Sequence, residues 1–192
     1  MGNKRHSLVK KEFVNQVESC AGDLDASCGR QGYKKTLILL SMLAFICCFR
    51  AYCLDRIIVS GSSMAPAYSD GDVMWARKFA IDSVERYQVV VAKINGQLVI
   101  KRVIGMPNEQ LQIIDGCVYI NGELLKDDYG YPTNNYGCAE NIVSLGKTEY
   151  FLMGDNRDGS LDCRTWGAVD VKNIKGIVVF RFFPFWKIQF IK

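Results

Sequence analysis

Two dipeptides constrain this chain more than any other feature, Asn95-Gly96 and Asp115-Gly116. Asparagine, aspartate and glycine tolerate positive φ, which a two-residue hairpin turn demands. Each pair sits between short runs rich in valine and isoleucine. Residues 88–93 and 98–104 flank the first turn, and 110–114 and 117–120 flank the second. Further runs of the same kind at 56–59, 73–76, 149–153 and 177–182 read as strands. No long amphipathic helical pattern comes between them. The expectation is a mainly β domain, a coiled antiparallel sheet, with a polar insertion near residues 126–146. The chain has 192 residues, of which 49% are hydrophobic, enough for one substantial domain with a real core.

Ahead of that domain the character changes. Residues 1–35 form a polar tail with no sustained apolar period, apart from one short helix expected near 8–17. Residues 36–54 then form the only run apolar enough to cross a bilayer, counted through Arg50, whose head can reach the headgroup layer. A buried core helix is the alternative. Lys34 and Lys35 on one flank, and the lack of a polar face, favour the membrane. A cleaved signal peptide is disfavoured by the long tail and the missing small-residue cleavage site. The basic flank predicts a single pass with the tail in the cytoplasm and residues 55–192 outside.

The rest of the composition narrows the chemistry. A formal net charge of +4 marks neither a nucleic-acid binder nor an acidic sink. There is no phosphate-binding loop, no dinucleotide glycine pattern and no zinc spacing, so no cofactor or metal is expected. The single histidine, His6, lies in the tail. A domain without imidazole has no histidine triad, so its acid/base work falls to a carboxylate, lysine, tyrosine or cysteine. The eight cysteines are spread over tail, apolar segment and domain. A Cys117–Cys138 bridge and buried free thiols are equally compatible with that spread.

Three stretches stand out inside the domain. Gly61-Ser62-Ser63-Met64-Ala65-Pro66 follows the first strand, and Ser63 there is either a turn residue or a nucleophile. Lys101 shares a strand face with Val99 and Val103 while Arg102 points the other way. It is either a surface lysine or an amine whose burial lowers its pKa and makes it a base for a nearby hydroxyl. Residues 153–167, rich in Gly, Asp, Asn and Arg, make an ordered polar loop. Its acidic spacing does not fit an EF-hand calcium site. Asp162 and Arg164 are placed to pair, and Ser160 to hydrogen-bond a neutral lysine.

Taken in order, Gly-x-Ser-Met-x-Pro, Lys-Arg-Val-Ile-Gly and Gly-Asp-Asn-Arg-x-x-Ser-x-Asp-x-Arg-x-Trp-Gly resemble the type I signal peptidase (leader peptidase) family. The likeness runs over most of residues 50–192. It implies a Ser/Lys dyad, with Ser63 the nucleophile and Lys101 the general base. Ser160 falls where the family orients the lysine, and Asp162 and Arg164 where it shapes the neighbouring loop. The oxyanion donor is the Ser63 backbone N–H. Some members add a serine hydroxyl two residues upstream, where this chain has Gly61. It departs also at Ala67, Gln88 and Cys163, where threonine, an acidic residue and serine are usual.

The resemblance implies a bacterial inner-membrane serine endopeptidase. It would cut signal peptides from secretory preproteins after small residues, through an acyl-enzyme. A specialised form serving conjugation or pilus proteins is one alternative. A membrane-tethered β-domain that binds exported chains without cutting them is another. A self-cleaving Ser/Lys repressor is disfavoured, since that would be soluble and bound to nucleic acid. The aromatic end, residues 182–187, is core by default and a bilayer contact if exposed.

Overall fold

The computed structural model describes residues 33–48, 53–79 and 81–191. The tail up to residue 32, with His6, Cys20, Cys28 and the helix expected near 8–17, lies outside the described residues, as do 49–52 of the apolar segment. The chain divides into two compact units, Met1–Phe49 and Arg50–Lys192.

In the first unit, helix α1 runs over 33–48 and exposes Leu37, Ile38, Leu39 and Phe45. At 1.5 Å per residue it covers about 24 Å, short of the ~30 Å hydrocarbon thickness. No helix among the described residues is long and apolar enough to cross a membrane. Leu54, which the hydropathy pattern groups with the apolar segment, instead opens the first strand opposite Arg77. Pairing of its backbone with a neighbouring strand outweighs its apolar side chain.

The second unit is the expected β domain. Its strands are β1 (Leu54–Ile58), β2 (Val73–Arg77), β3 (Val89–Ile94), β4 (Gln97–Gly105), β5 (Gln110–Ile114) and β6 (Cys117–Ile120). They continue as β7 (Glu123–Leu124), β8 (Val143–Ser144), β9 (Glu149–Met153), β10 (Val169–Asp170), β11 (Ile174–Phe183) and β12 (Gln189–Phe190), with one helical turn, α2 (Cys163–Trp166). All pairings are antiparallel. A larger sheet runs β1-β2-β11-β3-β4-β9-β10, with β12 on β11, and a smaller one runs β7-β6-β5-β8.

The turns carry this topology. Asn95 and Gly96 have φ of 49° and 83°, and Asp115 and Gly116 have 49° and 80°, the paired left-handed values that match the twist of a tight hairpin. Asn121 and Gly122, at 53° and 82°, join β6 to β7 in the same way. The insertion at 126–146 holds β8 and a short 3-10 turn, Gly137–Glu140.

Strand β3 is buried on both faces and divides two apolar clusters. Val90 and Ala92 join Val103, Leu111, Phe151 and Leu152 in the larger one. Val89 and Val91 face Met64, Tyr68, Met74 and Val178 in the smaller one. Met64 is 1% exposed, so the residue after Ser63 is a core residue. Burying such a side chain contributes about 1.5–3 kcal/mol, and it fixes the turn that carries Ser63.

Candidate active site

Ser63 lies on a loop between β1 and β2 that is tied at both ends. Val59 N–H donates to Asp72 O, and Gly71 N–H to Val59 O, each at 2.9 Å. Gly61, at φ 83°, donates its N–H to Asp70 Oδ1 at 2.8 Å. That left-handed conformation suits glycine. The buried Arg181 closes the base of the loop, donating to Ala67 O at 2.9 Å and to Asp72 Oδ2 at 3.2 Å. The nucleophile candidate is thus held by core packing below and by charged anchors behind.

Lys101 sits in β4 opposite Val90 and is 4% exposed. Its Nζ donates to Ser63 Oγ at 2.8 Å. Burial lowers the amine's pKa, opposed in part by the charges of Asp162 and Asp155. The same contact therefore serves in the other direction once the amine is neutral, with the Ser63 hydroxyl donating to it.

Arg102 points away from Lys101, as strand alternation requires, yet it too is buried. Its guanidinium forms a fork to Asp155, Nε to Oδ1 at 2.7 Å and Nη2 to Oδ2 at 2.6 Å. It also packs on the Tyr129 ring at 3.8 Å. Asp155 lies near the start of the polar loop, so this pair fastens that loop to β4. The next residue fastens it to the nucleophile. Asn156 N–H donates to Ser63 O at 3.1 Å, and its side-chain amide donates to Ser62 O at 3.2 Å.

Asp162 and Arg164 form the pair expected of them, both almost without exposure. Arg164 Nε donates to Asp162 Oδ1 at 2.9 Å and Nη2 to Oδ2 at 2.8 Å. Asp162 also accepts from Gly154 N–H at 3.0 Å and caps α2 through Arg164 N–H. Burial alone would raise the Asp162 pKa, but the hydrogen bonds from Arg164 and Gly154 win and hold it below the ordinary value. Ser160 is buried in the same loop, its Oγ donating to Leu161 O at 3.4 Å; no bond from it to Lys101 is present among the described residues. Cys163 accepts from Leu152 N–H at 3.1 Å, and burial pushes its thiol up to about 12. The described cysteines, Cys117 and Cys138 included, are all free thiols.

A groove of about 400 Å³ runs up to Ser63 and Lys101, lined by Ile57, Val59, Met64, Val91, Leu98 and Ile100. It lies between β1, whose outer edge has no strand partner among the described residues, and the first half of β4. Strand β9 pairs with β4 only from Arg102 onward, so backbone donors and acceptors remain available on both walls.

The family model of the signal peptidases, peptidase S26, matches residues 32–183. The chain belongs to that family. It is 30% identical to a signal peptidase I of Bacillus licheniformis, over 81% of this chain and 89% of the relative. It is 33% identical to signal peptidase I T of Bacillus subtilis (strain 168), over 79% of this chain and 84% of the relative. A signal peptidase I of Bacillus amyloliquefaciens is 32% identical over the same shares, 79% and 84%.

Within this signal peptidase family member, sequence reasoning picked out five side chains and missed their supports. Asp155, Asn156 and Gly154 were visible as part of a polar loop, but their partners, Arg102 and the Ser62–Ser63 backbone, are distant in the chain. Gly154 is the tightest case. A Cβ there would lie 2.2 Å from Ser160 Oγ and 2.5 Å from Ser63 O, so the loop reaches Ser63 only with glycine at that position.

Proposed function

We propose that the protein is a membrane-anchored serine endopeptidase that cuts signal peptides from exported preproteins with a Ser63/Lys101 dyad. The observation that carries this reading is the 2.8 Å contact between the two groups, in a domain with no histidine to take the base's place. Neutral Lys101 takes the Ser63 proton as Oγ attacks the scissile carbonyl carbon. The resulting ammonium returns that proton to the departing amine, leaving an acyl-enzyme. Water then loses a proton to Lys101 and attacks the ester, and Ser63 regains its hydrogen. The Ser63 N–H, which has no acceptor among the described residues, would face the oxyanion.

Arg164 has a defined part in this scheme. An unneutralised Asp162 carboxylate would keep the lysine protonated. The fork from Arg164 balances that charge, so burial governs the amine. Ser160 and Asp162 act as positioning groups of the same loop. The apolar groove suits an extended chain with small side chains, added as a strand between β1 and β4.

The anchoring half of the proposal rests on the apolar run from residue 36, behind Lys34 and Lys35, and on an exposed aromatic end. Phe185, Trp186 and Phe190 are 62%, 79% and 84% exposed, contrary to the default expectation of core packing, and such rings favour the bilayer interface. The topology proposed is a single pass of the bacterial cytoplasmic membrane, with the tail inside and residues 55–192 outside.

The test is a preprotein incubated with the full chain in detergent, followed by mass analysis of the cut and labelling with a serine-acylating probe. Cleavage after a small residue with the label on Ser63 is the expected result. Binding of the preprotein with neither cleavage nor label would instead establish the non-catalytic reading.

A further inference from the structure

The Ser63 turn has a second flank. The groove takes Ser60, Ser63 and Met64 as part of its wall. The next two residues, Ala65 and Pro66, line a separate cavity of about 340 Å³ together with Tyr131, Asn156 and Asp158. Two cavities therefore meet one turn from successive stretches of its backbone. An acyl-enzyme retains the acyl side of its substrate in the groove. The amine side departs across whatever surface lies beyond the nucleophile, and that is the surface lined by Ala65, Pro66 and Asn156.

The charge of this cavity is informative. Asp155 is neutralised by Arg102, and Arg157 is neutralised by Asp127. Asp158 is different. It is exposed, it accepts one hydrogen bond, from Thr133 Oγ1 at 2.6 Å, and it has no ion pair among the described residues. Beside it Tyr131 is 75% exposed. A net carboxylate and an open aromatic ring in one concave site attract a cation, through direct charge and through the ring face.

We propose that this cavity receives the substrate just after the scissile bond and favours a lysine or arginine at the second or third residue there. The inference rests on the Ser63 peptidase reading and adds a preference on the side that leaves first. Both contacts are partly exposed, so the discrimination expected is modest: about three- to ten-fold between a basic and an acidic residue at low salt.

The test uses the full chain in detergent and three peptides. All carry the same small residues before the bond and differ in having lysine, alanine or glutamate at the second and third positions after it. The expected order of kcat/KM is lysine, alanine, glutamate, carried mainly by KM and compressed at high salt. Asp158→Asn, which keeps an acceptor for Thr133, should bring the lysine-to-glutamate ratio close to one, and Tyr131→Ala should reduce it partway. Equal turnover of the three peptides by the wild-type chain, or a preference unchanged in Asp158→Asn, would overturn the subsite and leave the peptidase standing. Absence of turnover on all three peptides would overturn both.

Discussion

The Lys101 amine reaches Ser63 Oγ across 2.8 Å although 38 residues separate them in the chain. Strand β4 carries the amine and the loop before β2 carries the hydroxyl. Neither element touches the other through a strand ladder, so the contact depends on the core beneath the Ser63 turn, where Met64 packs. Removing either group should cost most of the catalysis. Ser63→Ala and Lys101→Met are each expected to lower kcat/KM by at least about 10⁴-fold with the circular dichroism spectrum unchanged. Residual turnover by Lys101→Met within ten-fold of wild type would exclude the lysine as base.

The same lysine has a stability signature. Its folded-state pKa lies below the ordinary 10.5 because burial disfavours the ammonium. Between the folded value and 10.5 the unfolded chain holds a proton that the folded chain does not, so wild-type stability rises with pH across that window. Below it both states are charged and the folded state bears the whole desolvation cost. Lys101→Met should therefore unfold at a higher temperature than wild type under acidic conditions, with the gap closing as the pH approaches 10.5. Thermal melts at several pH values measure this, and a gap that widens with pH would refute it.

Arg164→Met leaves the Asp162 carboxylate buried and unbalanced. Breaking a buried pair in this way costs about 3–5 kcal/mol, read from denaturant unfolding. In whatever fraction remains folded, the uncompensated carboxylate raises the Lys101 pKa. The acid limb of the kcat/KM profile should then move to higher pH. An unmoved limb would mean that Asp162 does not act on the amine.

Gly154→Ala tests the contact between the polar loop and the nucleophile. Its Cβ would meet Ser160 Oγ at 2.2 Å and Ser63 O at 2.5 Å, so the loop must retreat from Ser63. Overpacking of this kind costs about 1–3 kcal/mol, and a displacement near 1 Å at the reacting atoms lowers the rate on the order of 10²-fold. Wild-type kinetics in this variant would show that the 154–156 segment does not hold Ser63.

Cys163 should behave as an inert thiol. With its pKa pushed up to about 12 by burial, it carries almost no thiolate at neutral pH. Alkylation of the native protein at pH 7.5 is expected to modify the exposed Cys138 and to spare Cys163 until denaturant is added. Rapid native labelling of Cys163, followed by peptide mapping, would contradict its burial.

Much of the fold was legible along the chain because hairpins are local. Residues 110–114, 117–120 and 149–153 form strands with the expected bounds, and Asn95-Gly96 and Asp115-Gly116 turn as their φ tolerance requires. Asn121-Gly122 carried the same signal and led to β7. The two-residue strands β8 and β10 have too few side chains to show a period. Only their partners, β5 and β9, define them.

The chain alone settled which chemistry was available, since its domain has serine and lysine but no imidazole, and settled the three ordered motifs that place it with its relatives. It could not settle the state of those groups. From its strand alone Lys101 reads as a surface lysine before it reads as a base, because burial is a property of what packs around it. Packing brought Ser63 to that amine from 38 residues away, the polar loop set the charge of Asp155 within its influence, and the Asp162–Arg164 fork balanced the charge beside it. Desolvation and charge balance are sums over neighbours distant in the chain, and only the tertiary structure assembles those neighbours.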